Sequence, residues 1–471
     1  MRRNKVHQFL FLSGIVGCTA VCIVTASCSD KEGRAMYDPN VPVTVTNFYP
    51  DSGGVATQII LNGSNFGTDL NNIQVFFNQK KAAVIGSLGD KLYVITPRRP
   101  GDGMPDDGDP ERDQVEITVQ VGEQRATYDK KFNYRIQTLV STLCGRPGTT
   151  ANKVGTLGET EFKHEVGFLA VDAEDNIFVA TREWNGENKL ILIDKSENQS
   201  SIIIDNAGTS AINQPCVIDQ GKGLAMPTDE GNTYWTIHSA NFWQPKRRDY
   251  MAVNAEDADK VKTQYKHSFA YCELDGYFYC RRKNATNFFL KIDANTGNAW
   301  VVDTGDNDLK GESDCYMSFS KKDPKKLYMV LTNLHCIAIF EDITNPTREG
   351  NFKIYAGMQG RPGHADGFVN DAQFNSPRQL VVDDEENLYV ADSGNNCIRK
   401  ITPEGVVSTV IGIPGKSGYK DGTPDVALFA DPWGLAIDSE GIIYVGDKNN
   451  LCVRQLSICL LYTSPSPRDT R

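Results

Sequence analysis

The chain has 471 residues, too many for one ordinary domain, so two or three are expected. Its 40% hydrophobic and 23% charged content is that of a globular protein with a sizeable core and excludes wholesale disorder. A formal net charge of −11 excludes nucleic acid or an anionic membrane surface as the main partner.

The N-terminus reads as a targeting segment. Met1-Arg2-Arg3-Asn4-Lys5 is a basic start, residues 9–24 are mostly apolar, and Thr25-Ala26-Ser27 places small residues before Cys28. Ala26-Ser27-Cys28 resembles a bacterial lipobox, which implies a signal peptide over 1–27 and a diacylglycerol on the Cys28 thiol. Thr25 stands where a lipobox usually has Leu or Val, and an ordinary secretory signal is the alternative. Ser29-Asp30-Lys31-Glu32 resembles the acidic export signal of Bacteroidota surface lipoproteins, which implies lipid anchoring in the outer membrane, facing the cell exterior. No later apolar run is long enough to span a bilayer. Residues 28–40 are polar and read as a tether.

Residues 41–136 read as a compact all-β unit. Val43-Thr44-Val45, Ile59-Ile60-Leu61, Val75-Phe76-Phe77 and Leu92-Tyr93-Val94-Ile95 are strand-like, and Pro50-Asp51-Ser52-Gly53-Gly54 is a turn. With Gly63-Ser64-Asn65-Phe66-Gly67 and Thr96-Pro97, this order resembles the IPT/TIG immunoglobulin-like domain, which implies a spacer or recognition module. Between Gly101 and Asp113 lie Asp102, Asp106, Asp107, Asp109 and Asp113; clustered carboxylates can hold calcium, but the spacing fits no EF-hand, and a solvated loop is expected.

Residues 138–457 carry a repeat. Phe374-Asn375-Ser376-Pro377, Leu388-Tyr389-Val390-Ala391-Asp392 and Asn395-Asn396-Cys397-Ile398-Arg399 recur as Phe429-Ala430-Asp431-Pro432, Ile443-Tyr444-Val445-Gly446-Asp447 and Asn449-Asn450-Leu451-Cys452-Val453-Arg454. Pro377 and Pro432, Asp392 and Asp447, and Cys397 and Cys452 are each 55 residues apart. Each copy reads as a meander of short antiparallel strands, one of which cannot bury both its faces alone, so copies must pack on one another. Worn copies fall at 161–194, 212–254, 267–293 and 315–340, giving six. Pro-x-x-Leu-x-x-Asp, Leu-Tyr-Val-Ala-Asp and Asn-Asn-Cys-Ile-Arg resemble the NHL repeat family, which implies a β-propeller. The last copy supplies three strands, and Leu139-Val140-Ser141-Thr142-Leu143-Cys144-Gly145 matches the outer strand Val406-Val407-Ser408-Thr409-Val410-Ile411-Gly412. The expected fold is therefore all-β, an immunoglobulin-like sandwich followed by a six-bladed propeller closed by its first strand. Residues 458–471 break the pattern and resemble translated read-through of a sequencing adapter, so they stand outside the repeat.

Cys336, Cys397 and Cys452 fall at one place in successive copies, too far apart for disulfides, and are expected as small core residues. No CxxC or CxxH spacing is present, so zinc held by thiolate is not expected. Arg399 and Arg454 recur with the repeat and are expected to pair with Asp392 and Asp447.

Three residue groups could carry function. His164 and His267 each precede the Asp ending their strand by the same interval (164 to 172, 267 to 275), near the entrance of an inner strand. A resemblance to amidating lyases with channel histidines implies zinc there, although a catalytic zinc wants about three protein ligands. Ordinary polar residues lining a wet channel, with no metal, are the expectation, and the zinc reading is the alternative. Tyr234, Trp235, Phe242 and Trp243 cluster in the divergent copy beside Lys246, Arg247 and Arg248, and Trp184 stands in a polar loop. Aromatic faces flanked by polar donors suit carbohydrate. No nucleophile elbow, P-loop or dinucleotide fingerprint occurs. The expectation is a cell-surface lipoprotein binding a glycan or a protein without catalysis and without a cofactor. A metal-dependent lyase or hydrolase, with zinc or calcium in the propeller channel, is the alternative, and a structural scaffold of an envelope complex a second one.

Overall fold

The computed structural model describes residues 36–53, 57–97, 114–134, 138–183, 186–205, 212–229, 231–262, 266–281, 283, 288–303, 313–345 and 350–458. The signal segment, Cys28, most of the tether, the acidic loop from 101 to 113, Trp184 and residues 459–471 lie outside the described residues. Strands dominate: among the described residues the one α-helix is Ala258–Val261.

The first unit is a sandwich. Seven strands hydrogen-bond in the order Thr44–Tyr49, Gln58–Gly67, Gly89–Ile95, Lys80–Ser87, Ile73–Phe77, Ile117–Val121 and Gln124–Thr127. A smaller sheet joins Ser52–Gly53, Phe132–Tyr134 and Gln114–Val115. Ile73–Phe77 and Ile117–Val121 bury every second side chain, as strands with one wet face must. Val75, Phe77, Val119 and Phe132 thereby meet Phe48 and Leu92 in one core. Residues 36–40, from the stretch expected as tether, lie on this unit: Tyr37 packs against its core and Asp38 N donates to Asn65 Oδ1 at 2.8 Å.

Six sheets follow. The first is Glu165–Val171, Ile177–Arg182, Lys189–Asp194 and Gln199–Asp205, each strand antiparallel to the one before it. The later sheets open on Cys216–Ile218, Ala270–Cys272, Cys315–Phe319, Leu380–Val382 and Pro432–Ile437. Each opening strand neighbours that of the next sheet, and Pro432–Ile437 neighbours Glu165–Val171, which makes the six a ring. Strands such as Leu327–Leu331 and Ile443–Asp447 are buried at every position, because each sheet is covered on both faces by its neighbours. As expected, the ring is closed by its first strand: Leu139–Gly145 pairs antiparallel with Cys452–Ser457 as the fourth strand of the last sheet. At this seam a Cβ on Gly434 would stand 2.3 Å from Gly167 O and one on Gly446 would stand 2.6 Å from it, so both places need glycine for close backbone approach.

The recurring Asp and Arg form a fixed frame. Arg399 Nη1 donates to Asp392 Oδ2 at 2.9 Å and Arg454 Nη1 to Asp447 Oδ2 at 2.7 Å, with all four side chains fully buried. Their Nη2 atoms reach Asp366 at 2.7 Å and Asp421 at 2.5 Å. The two inner carboxylates also accept backbone bonds from Asn375 and Ala430, both at 2.8 Å, which anchors the segment leading into each inner strand. Cys336, Cys397 and Cys452 are buried and unbridged, as expected.

Candidate functional site

In this ring the start of each inner strand lies beside the end of its antiparallel partner, as Glu165 pairs with Arg182 and Pro432 with Asp447. Residues from all six sheets therefore meet at one mouth. Its floor is aromatic: the Phe168 ring lies 4.8 Å from Tyr316 and 5.7 Å from Trp433. Arg378 and Lys448 each hold a cation 4.3 Å from the Trp433 ring, and Arg182 stands 5.7 Å from it.

A polar network runs around this floor. Trp433 Nε1 donates to Asp431 at 3.1 Å, and Lys448 reaches Asp431 at 2.8 Å and Glu165 at 3.4 Å. Arg378 Nη1 donates to Asp314 Oδ2 at 3.0 Å and to the Tyr316 hydroxyl at 3.1 Å. Lys283 and His267 face the other Asp314 oxygen at 3.2 Å and 3.7 Å. Asn213 joins Arg182, Asp229 and the Lys266 carbonyl. Below this layer the axis is tied across: Gln379 bonds the backbone of Leu169 and Leu435, Gln214 bonds Met317 O, and Ser268 bonds Cys315 O. The mouth is thus a basin with a hydrogen-bonded floor.

Among the described residues, three buried polar atoms of the basin have no hydrogen-bond partner: Glu165 Oε2, His267 Nδ1 and Arg378 Nε. Such atoms are rare in folded proteins, because each one left unmet costs about 1 to 3 kcal/mol. Burial holds His267 below its ordinary pKa although Asp314 opposes this, and so favours the neutral imidazole. Burial pushes the Asp314 carboxyl up, but the charges facing it, among them the Arg378 and Lys283 cations at 3.0 Å and 3.2 Å, outweigh this and hold it below the usual range. Burial lowers the Lys266 ammonium to about 8.

The two histidines of the alternative channel-metal reading have separate partners. His267 faces Asp314, whereas His164 Nε2 lies 3.1 Å from Glu183 and 3.2 Å from Glu187. His335 and His238 serve the backbone, accepting from Ser376 N and Ala240 N at 3.0 Å.

The aromatic cluster of the second sheet is divided by the structure. Tyr234, expected to face a ligand, is 1% exposed and packs on Tyr250, Phe269 and Phe278, because its side of the strand faces the third sheet. Trp235 is half-buried and lies opposite the exposed Arg247. Trp243 is half-buried with its ring 4.9 Å from Phe178 of the first sheet. Phe242 alone projects, at 90% exposure. Phe242 and Trp243 both sit in the left-handed region, with φ of 52° and 58°, at a turn whose counterparts His335, Asn396 and Leu451 do the same. The residues that sequence reasoning passed over are Arg378 and Trp433, each directly after the repeat's proline. That position was the available signal, since the frame recurs around it while the residue itself changes from Arg to Trp.

The IPT/TIG domain family matches residues 42–134, and the NHL repeat family matches residues 374–401 and 429–456. A solved Bacteroides thetaiotaomicron protein of unknown function is 25% identical, with 90% of this chain and 100% of that one covered and a TM-score of 0.58. A structure described as an auxiliary nutrient binding protein of the same organism is 22% identical with a TM-score of 0.58, covering 90% of this chain and 99% of that one. At that identity it shows the fold alone. Among curated proteins, the chain is 30% identical over 96 residues to SUPPRESSOR OF QUENCHING 1 of Arabidopsis thaliana. That match is 20% of this chain and spans only 9% of the relative's length. The chain thus joins an IPT/TIG domain to a β-propeller built with NHL repeats.

Proposed function

We propose that this chain is a lipid-anchored surface protein of the outer membrane that captures a glycan at the propeller mouth. The observation that carries the reading is that Glu165 Oε2, His267 Nδ1 and Arg378 Nε, on three different sheets at the mouth, are buried without a hydrogen-bond partner among the described residues. Sugars offer what this basin lacks, hydroxyls that both donate and accept; the Phe168, Tyr316 and Trp433 rings, at 5% exposure or less, pack beneath and take no part in contact. A hydroxyl would serve His267 Nδ1, which stands 3.7 Å from Asp314 Oδ1, beyond hydrogen-bond distance. The name of the nutrient-binding neighbour, the lipobox-like Ala26-Ser27-Cys28 and the stalk-like first domain support a role in nutrient capture at the cell surface.

The test is retention of the purified protein on affinity gels cast with a panel of polysaccharides. His267→Gln and Arg378→Lys keep size and, for Arg378, charge, yet remove a ring nitrogen and the planar guanidinium. Each is expected to weaken retention at least about tenfold, while Trp243→Ala retains binding. Loss with Trp243→Ala and unchanged binding in both mouth variants would overturn the assignment.

A further inference from the structure

The first sheet holds a second group of side chains that the mouth does not use. Strand pairing of Glu165 with Arg182 sets His164 beside Glu183, and the loop back into Lys189–Asp194 brings Glu187 to the same place. The fully buried Asn188 accepts from Glu183 N at 2.9 Å, and among the described residues its own Nδ2 has no hydrogen-bond partner.

His164 has its side chain only 9% exposed, and its Nε2 lies 3.1 Å from one Glu183 oxygen and 3.2 Å from one Glu187 oxygen. One N–H cannot point at two carboxylates, and among the described residues Glu187 is the one hydrogen-bonded to it. The three ligand atoms lie within 4.8 Å of one another. Bonds of about 2.1 Å from a divalent ion to nitrogen and oxygen put adjacent donors about 3.0 Å apart in an octahedron and about 3.4 Å apart in a tetrahedron. The two distances from His164 match such edges. One imidazole with two carboxylates is a donor set for zinc or manganese; calcium and magnesium take oxygen alone.

We propose that His164, Glu183 and Glu187 form a divalent transition-metal site at the rim of the first sheet, separate from His267. Lys163 Nζ stands 3.0 Å from the same Glu187 oxygen and competes with the ion for it. This site does not depend on the glycan reading.

The test is isothermal titration of the full chain, stripped with chelator, using zinc, then manganese and calcium. Zinc is expected to bind one per chain, and His164→Ala and Glu183→Gln should each lose roughly 100-fold or more in affinity. His267→Ala should bind as wild type, and Lys163→Ala, which frees the Glu187 oxygen, should bind more tightly than wild type. Thermal melts of each variant without metal check that it is folded. No zinc binding by wild type, equal binding by folded His164→Ala, or loss confined to His267→Ala would overturn the site.

Discussion

Arg454→Met is expected to destabilise the propeller by about 3 to 5 kcal/mol, read from the midpoint of guanidinium unfolding. The substitution leaves Asp447 fully buried without the cation at 2.7 Å and frees Asp421 as well. The carbonyls of Leu428 and Lys420, which accept from Arg454 at 3.2 Å and 2.9 Å, lose their donor too. The size follows from an asymmetry: a buried pair adds little over a well-packed apolar pair, but one charge stranded alone is expensive. Lys130→Ala serves as the control. It breaks an ion pair with Asp51 in which both side chains are more than half exposed, and a change within about 0.5 kcal/mol is expected. A loss below about 1 kcal/mol for Arg454→Met would mean that the frame does not hold the repeat together.

Trp433→Ala is expected to cost about 3 to 5 kcal/mol by removing a large buried ring. Trp433 is 5% exposed and joins the inner strand of the last sheet to Phe168 of the first and to Arg378 of the fifth. The matching change Trp243→Ala, at a half-buried ring resting on Phe178, should cost about 1 kcal/mol. Thermal melts of the two variants side by side decide this, and equal losses would contradict the placement of Trp433 at the axis. Trp433 is for the same reason a poor residue with which to test binding, since a stability loss would mask it. His267→Gln and Arg378→Lys are the better probes.

The repeat frame was legible in the sequence because it is local. Asp392 and Arg399 lie on adjacent strands of one copy, and their recurrence at Asp447 and Arg454 marks them as a pair from spacing alone. The closing strand was legible as well, since Leu139–Gly145 copies the outer strand Val406–Ile411. The mouth was not legible, because its members come from six sheets and meet only when the ring closes. His267 and Asp314 lie in different copies, and Arg378 reaches Asp314 across 64 residues. Burial misled the aromatic reading for a related reason: strand alternation places Tyr234 and Trp235 on opposite faces, but both faces of a propeller sheet are covered. Glu183 and Glu187 were missed as partners of His164 because the hairpin, and not sequence spacing, brings them together.

Hydrogen–deuterium exchange on the full chain, with and without a polysaccharide that its affinity gel retains, tests the central claim most directly. Protection is expected at the strand starts around Glu165, His267, Asp314, Arg378 and Trp433, from five different sheets at once. Protection confined to the turn and edge strand from Ser239 to Asp249, with the strand starts unchanged, would contradict it and place the ligand on Phe242 and Arg247 instead.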